Sequence, residues 1–129
     1  MMYNLDNNQH EMMIQYSHLL TVVEEGFDYV EEQYQLEKWF EGDRMLGDVF
    51  LAFTQFEKTN QLMNELFKNE TTILNDIQKF DTVISIVADL EKVYELETER
   101  KRVVLNRLIP AFSAWKEILD VTFKPYIQH

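Results

Sequence analysis

The sequence predicts an all-α protein, and three observations favour a single up-down-up-down antiparallel four-helix bundle. The chain of 129 residues contains only three Gly and two Pro, whereas sheet-rich domains of this length use many of both in tight turns. Apolar residues recur at alternating steps of three and four along most of the chain, which is the spacing of one helix face. Long helices of similar length with short connections favour antiparallel neighbours. We therefore treat residues 1–129 as one helical-bundle domain.

The first helix is predicted to begin after Asn8, which can cap free backbone amides, with Glu11 three residues later in capping-box spacing. Its apolar face is an unbroken heptad seam formed by Met13, Tyr16, Leu20, Val23, Phe27, Val30 and Tyr34. Gly26 lies inside this helix, where the missing side chain permits a neighbouring helix to approach closely.

The second helix is predicted over residues 44–68, with Asp43 as its cap. Its seam is apolar except at Asn60, which either fixes the register of the seam or reaches water at an edge of the bundle. The stretch Val49–Phe53 is apolar nearly all round, a pattern typical of a segment buried on more than one side.

The connection before the second helix, residues 35–43, is unusual because it contains Trp39 and Phe40. Two interpretations remain open for these aromatic residues. They either fold back over the end of the core or are exposed to solvent.

The region after the second helix also has two interpretations. A third helix begins at a cap formed by Thr71 or Thr72. Residues 72–109 contain no Gly or Pro, so they are compatible with one helix of about 57 Å, against about 38 Å for each of the first two helices. A turn near Glu97–Glu99, with Thr98 as the cap, gives instead four helices of similar length, and we prefer the turn.

The last helix is predicted to carry its seam on Val104, Leu108, Phe112, Trp115, Leu119 and Phe123. Pro110 lies inside this helix. Because proline lacks a backbone donor and its ring clashes with the preceding turn, we expect the last helix to be kinked at Pro110.

The net charge of −11 opposes binding to nucleic-acid phosphates and to anionic membranes. Residues 1–43 carry ten acids and one base, whereas residues 100–129 carry two acids and six bases. This asymmetry predicts that the first and last segments lie side by side. We expect the basic cluster of the last segment to pair with the acidic first helix; it comprises Arg100, Lys101, Arg102 and Arg107.

The composition also bears on location. The absence of cysteine excludes disulfides, thiolate metal sites and cysteine nucleophiles. The sequence has no apolar run of about 18 residues, and the segment Met1–Asp6 lacks a basic stretch followed by an apolar one. We therefore predict a cytoplasmic protein.

Catalytic and cofactor motifs are not found. Di-iron bundles need Glu-x-x-His on two helices, whereas the residues three before His10 and His18 are Asn7 and Gln15. The sequence has no Gly-rich phosphate loop and no Gly-x-Ser-x-Gly elbow. We predict no enzyme activity, no cofactor and no metal site.

Three short segments carry a resemblance to known proteins: Glu24–Tyr29, Glu41–Leu46, and Leu108–Phe112 leading to Trp115. In these segments the chain resembles small acidic helical proteins of unknown function from Gram-positive spore-forming bacteria. This resemblance implies no active site. In size and acidity the chain is also similar to secretion or flagellar export chaperones, which are small helical bundles.

The predicted function is a non-enzymatic protein-interaction module or chaperone-like adaptor that binds a partner helix, or a second copy of the chain, through an apolar surface. The candidate contact residues are Trp39, Phe40, Phe50 and Leu51. The alternatives are a homodimeric structural protein that uses the same surface, and a small-ligand-binding bundle or enzyme.

Overall fold

In this computed structural model, residues 5–127 are described, and every regular element in that range is helical. In chain order the α-helices are α1 (Asn7–Gln35), α2 (Trp39–Leu66), α3 (Thr71–Gln78), α4 (Phe80–Val93), α5 (Glu97–Val103) and α6 (Ile109–Ile127). A π turn, Val104–Leu108, joins α5 to α6. The described chain thus forms four rods: α1, α2, α3–α4 and α5–α6. The prediction of an all-α protein is confirmed.

The first helix begins earlier than predicted, and Asn8 is not its cap. The Asp6 carboxylate accepts a hydrogen bond from the Gln9 amide at 2.8 Å, and the Asp6 amide donates to Gln9 Oε1 at 3.1 Å. This reciprocal pair satisfies two groups at the end of the helix, so Asn8 is already helical.

The second helix begins at Trp39 rather than at residue 44, which shortens the connection to Leu36–Lys38. Glu37 adopts a left-handed backbone conformation with φ of 58°, and the Lys38 amide donates to the carbonyl of Gln33 at 2.8 Å. These contacts reverse the chain within three residues, so Trp39 lies in the first turn of α2 instead of in a loop.

Asp43 is also not a helix cap, because it lies inside α2. Gly42 precedes it, at a point where a Cβ atom would stand only 2.5 Å from Cδ1 of Tyr34. The absent side chain therefore lets the start of α2 pack directly against the end of α1.

The chain is broken between α4 and α5, so residues 72–109 do not form one helix. The break lies at Tyr94–Leu96, slightly before the predicted turn at Glu97–Glu99, and Leu96 rather than Thr98 precedes the new helix. Arg100 donates a hydrogen bond to the carbonyl of Tyr94, which satisfies an acceptor at the end of α4.

A second break, at Lys79, was not predicted. The indole Nε1 of Trp115 donates to the carbonyl of Asp76 at 3.1 Å, and the Lys79 amide bonds to the same carbonyl at 3.3 Å. Because this carbonyl is engaged by a residue of α6, the regular hydrogen bonding of the helix is interrupted between α3 and α4.

The core lies between the four rods and is rich in aromatic side chains. The predicted seam residues of the first helix are buried, as are the apolar seam residues of the predicted second helix and the seam residues of the predicted last helix. Phe80 of α4 lies at the centre, with its ring centroid 4.6 Å from that of Trp115, 5.4 Å from Phe53 and 5.7 Å from Phe56. Aromatic contacts at these separations contribute beyond the area they bury.

The first and last helices lie side by side, as the charge asymmetry predicted: α1 packs against both α2 and α6. The expected pairing of the basic cluster with the first helix is wrong, however. Arg100 pairs with Asp43, Arg102 with Glu99, and Arg107 with Asp89. The helix neighbours are set by the apolar seams, since exposed ion pairs contribute little.

Candidate functional site

An open groove of about 300 Å³ separates α2 from α4. It exists because α2 packs directly against α3, whereas α4 packs against α5, the π turn and α6. The residues that line it are Phe50, Phe53, Glu57, Ile84, Val87, Ala88, Leu90, Glu91 and Tyr94. We call this feature the α2/α4 groove.

The floor and walls of the α2/α4 groove are apolar. Phe53 and Leu90 are buried and form its floor, because both belong to the core seams of their helices. Phe50, Ile84 and Val87 are half-buried and form its walls. From Ile84 in α4 to Tyr94, which directly follows α4, the groove extends about 15 Å along the helix axis, which is enough to accommodate about three turns of another helix.

Two carboxylates stand on the rim of the groove, one on each side. Glu57 projects from α2 and Glu91 from α4, and both are exposed. Lysine and arginine do not occur among the lining residues. The groove therefore combines an apolar interior with a negative rim.

A buried arginine, Arg100, lies behind Tyr94 at one end of the groove. Arg100 donates from Nε and Nη2 to the two carboxylate oxygens of Asp43, both at 3.1 Å. Its guanidinium carbon lies 5.1 Å from the ring centroid of Tyr94 and 5.6 Å from that of Trp39. The hydroxyl of Tyr34 donates to the same carboxylate. This cluster joins the turn between α1 and α2 to the beginning of α5.

The electrostatics of this cluster keep the arginine charged and the phenols neutral. Burial alone lowers the pKa of Arg100, but its contact with Tyr34 and the charge of Asp43 outweigh that effect and raise it. Burial raises the pKa of Tyr94, and the charge of Asp43 raises it further. Burial also raises the pKa of Tyr34, again reinforced by Asp43. A bidentate pair of this kind holds elements together.

The four predicted contact residues do not form one patch. Phe50 lines the α2/α4 groove. Trp39 is half-buried, with its ring 5.2 Å from that of Tyr34. Phe40 is 73% exposed and Leu51 71% exposed. Of these two aromatic residues, Trp39 thus folds back over the end of the core, whereas Phe40 is exposed to solvent.

Phe40 and Leu51 belong to a line of exposed apolar side chains on the outer face of α2. Leu62, which is 60% exposed, continues this line. The three residues are spaced by eleven positions, or about three turns, so they share one side of the helix. We call Phe40, Leu51 and Leu62 the α2 ridge.

Sequence reasoning missed the α4 wall of the groove. Ile84, Val87 and Tyr94 have the same helical spacing as Leu90, so periodicity alone assigns all four to the core seam. Only the separation between α2 and α4 distinguishes the half-buried wall from the buried floor. The two rim glutamates could not be singled out from the sequence, because it contains 23 acidic residues.

Other surface grooves are present on the described part of the chain. One between α1 and α2, of about 410 Å³, is lined by Gln15, His18, Gln55 and Thr59 among apolar residues. Within residues 5–127 no group of three or more His, Cys, Asp or Glu side chains is placed to hold a metal ion; His129 lies outside that range. No helix in the described range has the length and apolar character needed to cross a membrane.

Comparison with known families gives one match. A family model described as "Domain of unknown function (DUF8042)" matches residues 11–118. The matched range runs from α1 into α6 and includes every residue of the α2/α4 groove. No curated protein and no solved structure is significantly similar to the chain.

Proposed function

The chain belongs to the DUF8042 family, and we propose that this family member is a non-enzymatic protein-interaction module, or chaperone-like adaptor, that acts through the α2/α4 groove. The groove receives the apolar face of an amphipathic helix from a protein partner. The observation that carries this proposal is the pair of apolar walls that the chain's own helices leave half-buried: Phe50 on α2, and Ile84 and Val87 on α4.

The dimensions of the groove suit a short helix. A bound helix of three turns places apolar side chains at positions i, i+3 or i+4, and i+7 over the floor, which is the usual spacing of groove-bound helices. Each wall residue then loses its remaining exposure to water, and apolar burial contributes roughly 25 cal/mol per Å². Because the floor is formed by core residues, the groove does not need to rearrange before binding.

The test is a binding titration with a fluorescein-labelled 14-residue peptide whose leucines recur at helix spacing, compared with a scrambled peptide of the same composition. Phe50→Gln removes one wall of the groove. Ala88→Gln places a polar side chain in its mouth and removes no core packing, because Ala88 is exposed. We expect each variant to weaken binding at least about tenfold, or about 1.4 kcal/mol.

Leu51→Gln is the matched control, because Leu51 follows Phe50 directly but does not line the groove. It should bind the peptide as the parent protein does. Equal affinity for the ordered and scrambled peptides, or full binding by both groove variants, would reject the proposal.

A homodimeric structural protein is the second candidate, and the α2 ridge favours it. Three exposed apolar side chains at equal spacing can meet their copies when two α2 helices pack against each other. Sedimentation equilibrium over a concentration series tests this candidate. A dimer that Leu51→Gln converts to a monomer supports self-association, whereas a monomer at the highest concentration excludes it.

We also propose that the four rods follow the up-down-up-down arrangement and that the last rod bends at Pro110. The first part is supported by contacts that run in opposite directions along α1 and α2: Tyr16 meets Asn60, and Gly26 meets Val49. The bend is supported by the π turn, which ends two positions before Pro110. A cytoplasmic location, compatible with the absence of cysteine, and the resemblance to proteins of spore-forming bacteria stay predictions.

A further inference from the structure

We infer that the helix bound in the α2/α4 groove is basic, with lysine or arginine side chains on both flanks of its apolar stripe. This inference rests on the proposed function and specifies the chemistry of the partner. It is carried by the two rim carboxylates, Glu57 on α2 and Glu91 on α4, which stand on opposite sides of an apolar floor that no basic residue lines.

The rim carboxylates have no side-chain partner in the part of the chain that the structure describes. Among the side-chain contacts of residues 5–127, neither Glu57 nor Glu91 takes part in an ion pair or hydrogen bond. Other acids near arginines are engaged: Asp43 with Arg100 and Asp89 with Arg107. Because both carboxylates are exposed and unpaired in the described range, they are available to the basic groups of a partner.

The placement of the two acids determines where the bases of the partner must be. A helix that lies along the groove with its apolar stripe on the floor has two flanks, one facing α2 and the other facing α4. A base on the first flank comes close to Glu57, and a base on the second flank comes close to Glu91. A helix with bases on only one flank satisfies only one of the two acids.

The net charge of the chain adds a long-range component. At −11 the protein attracts any cationic helix, which raises the association rate. Exposed ion pairs each add little to affinity, so we expect the two rim contacts to give a preference of about tenfold rather than absolute selectivity. The test must therefore separate the rim from the overall charge.

The experiment uses three labelled peptides with the same leucine stripe and with Lys, Gln or Glu on both flanks. We expect the Lys peptide to bind about tenfold tighter than the Gln peptide and the Glu peptide to bind weakest. In the double variant Glu57→Gln with Glu91→Gln, the preference for Lys over Gln should fall below about threefold. The binding of the Gln peptide should persist.

The matched control is Glu25→Gln with Asp28→Asn, which removes the same charge from the exposed outer face of α1. This variant should keep the tenfold preference. A loss of preference equal to that of the rim variant would overturn the inference, because net charge alone would then account for it.

The remaining outcomes separate the two proposals. If the Lys and Gln peptides bind equally and both are lost in Ala88→Gln, the helix-binding function stands and the inference of a basic partner is overturned. If none of the three peptides binds to the protein, the proposed function fails and the inference fails with it.

Discussion

At the scale of single residues, Arg100 is the polar side chain on which the junction of three elements depends. It is 6% exposed and bonds to Asp43 of α2 and to the carbonyl of Tyr94. Removing one member of a buried pair leaves the other without compensation. Because the Asp43 side chain keeps 29% of its exposure, water can partly replace the arginine.

We predict that Arg100→Met lowers the free energy of unfolding by about 3 kcal/mol, the lower end of the range for a broken buried pair. Arg102→Met is the control, because Arg102 is 53% exposed and pairs with Glu99 within one helix; it should cost less than about 0.5 kcal/mol. Urea unfolding followed by circular dichroism measures both. Equal costs would show that the buried pair has no special role.

Two buried phenols give the stability a dependence on alkaline pH. Burial raises the pKa of Tyr16 above its ordinary value of 10.0, although its hydrogen bond to Asn60 lowers it in part. Burial and Asp43 likewise raise the pKa of Tyr34. Since the folded state holds these protons more tightly, their contribution is complete below about pH 10 and is lost as the pH rises toward the folded-state values.

We therefore predict that the free energy of unfolding falls steadily above about pH 10 and that Tyr16→Phe makes this fall shallower. Urea unfolding at a series of pH values from about 8 to about 11.5 measures this free energy. The absorbance of phenolate is recorded on the same samples. The phenolate signal of Tyr16, taken as the difference between parent and variant, should appear together with the loss of helicity. Its appearance in a fully helical protein would contradict the burial of this phenol.

Residue roles were only partly predictable from the sequence. The sequence marks Asn60 as a polar break in the seam and leaves two interpretations open. Asn60 accepts a hydrogen bond from the Tyr16 hydroxyl, which favours a role in the register between α1 and α2. The partner of Arg100 was not predictable, because Asp43 is 57 positions away and no periodicity connects the two.

At the scale of elements, two glycines in α2 have opposite roles. A Cβ at Gly42 would lie 2.5 Å from Cδ1 and 2.6 Å from Cε1 of Tyr34, whose ring is buried and whose hydroxyl is bonded to Asp43. A Cβ at Gly47 meets nothing within 4 Å. The first glycine is required for packing, whereas the second only weakens the helix.

We predict that Gly42→Ala destabilises the protein by about 1–3 kcal/mol, because the aromatic ring cannot withdraw. Gly47→Ala should stabilise it by up to about 1 kcal/mol, the difference in helix propensity. Thermal unfolding of the two variants side by side gives the comparison. A Gly42→Ala variant at least as stable as the parent protein would contradict the assigned contact at Gly42.

The π turn before Pro110 accommodates an additional residue in the α5–α6 rod. Phe112 is twelve positions after Arg100, whereas three α-helical turns advance by about 11 positions. Val104 and Leu108 lie between them at equal steps of four, and all four side chains are buried. The wider turn therefore keeps one continuous face of the rod toward the core. Three successive steps of four between buried residues are the sequence signal that could have revealed the π turn.

We predict that deletion of Asn106, an exposed residue of the π turn, is tolerated, because the turn can revert to a regular α-helix with the downstream register intact. Deletion of Ala114, an exposed residue of regular α6, should unfold the protein, because it rotates the following core residues by about 100°. Helicity and melting temperature of both deletions provide the test. Equal damage from the two deletions would exclude an inserted residue in the turn.

Helix boundaries were less predictable than helix faces, for a physical reason. The seams follow from local spacing, whereas the ends depend on distant groups. The break at Lys79 requires the indole of Trp115 on α6. The early start of α2 at Trp39 requires the tight turn at Glu37 and the missing side chain of Gly42.

At the scale of the whole molecule, the sequence predicted an all-helical chain with apolar seams but not the α2/α4 groove. The residues of the core and those of the groove walls recur with the same helical spacing. Only the distance between α2 and α4 decides which of them are buried. α4 is held against α6 by contacts such as Phe80 with Trp115, and Arg107 bridges from the π turn to Asp89. These contacts leave the α4 face toward α2 partly uncovered.

The central claim is that the α2/α4 groove binds a helix, and amide chemical-shift mapping tests it most directly. The leucine-stripe peptide with lysine flanks is titrated into ¹⁵N-labelled protein. We predict that the largest shifts fall on Phe50–Glu57 of α2 and Ile84–Glu91 of α4, with small shifts along α1. Shifts centred on Phe40 and Leu62 of the α2 ridge, or spread over the acidic surface of α1, would contradict the account.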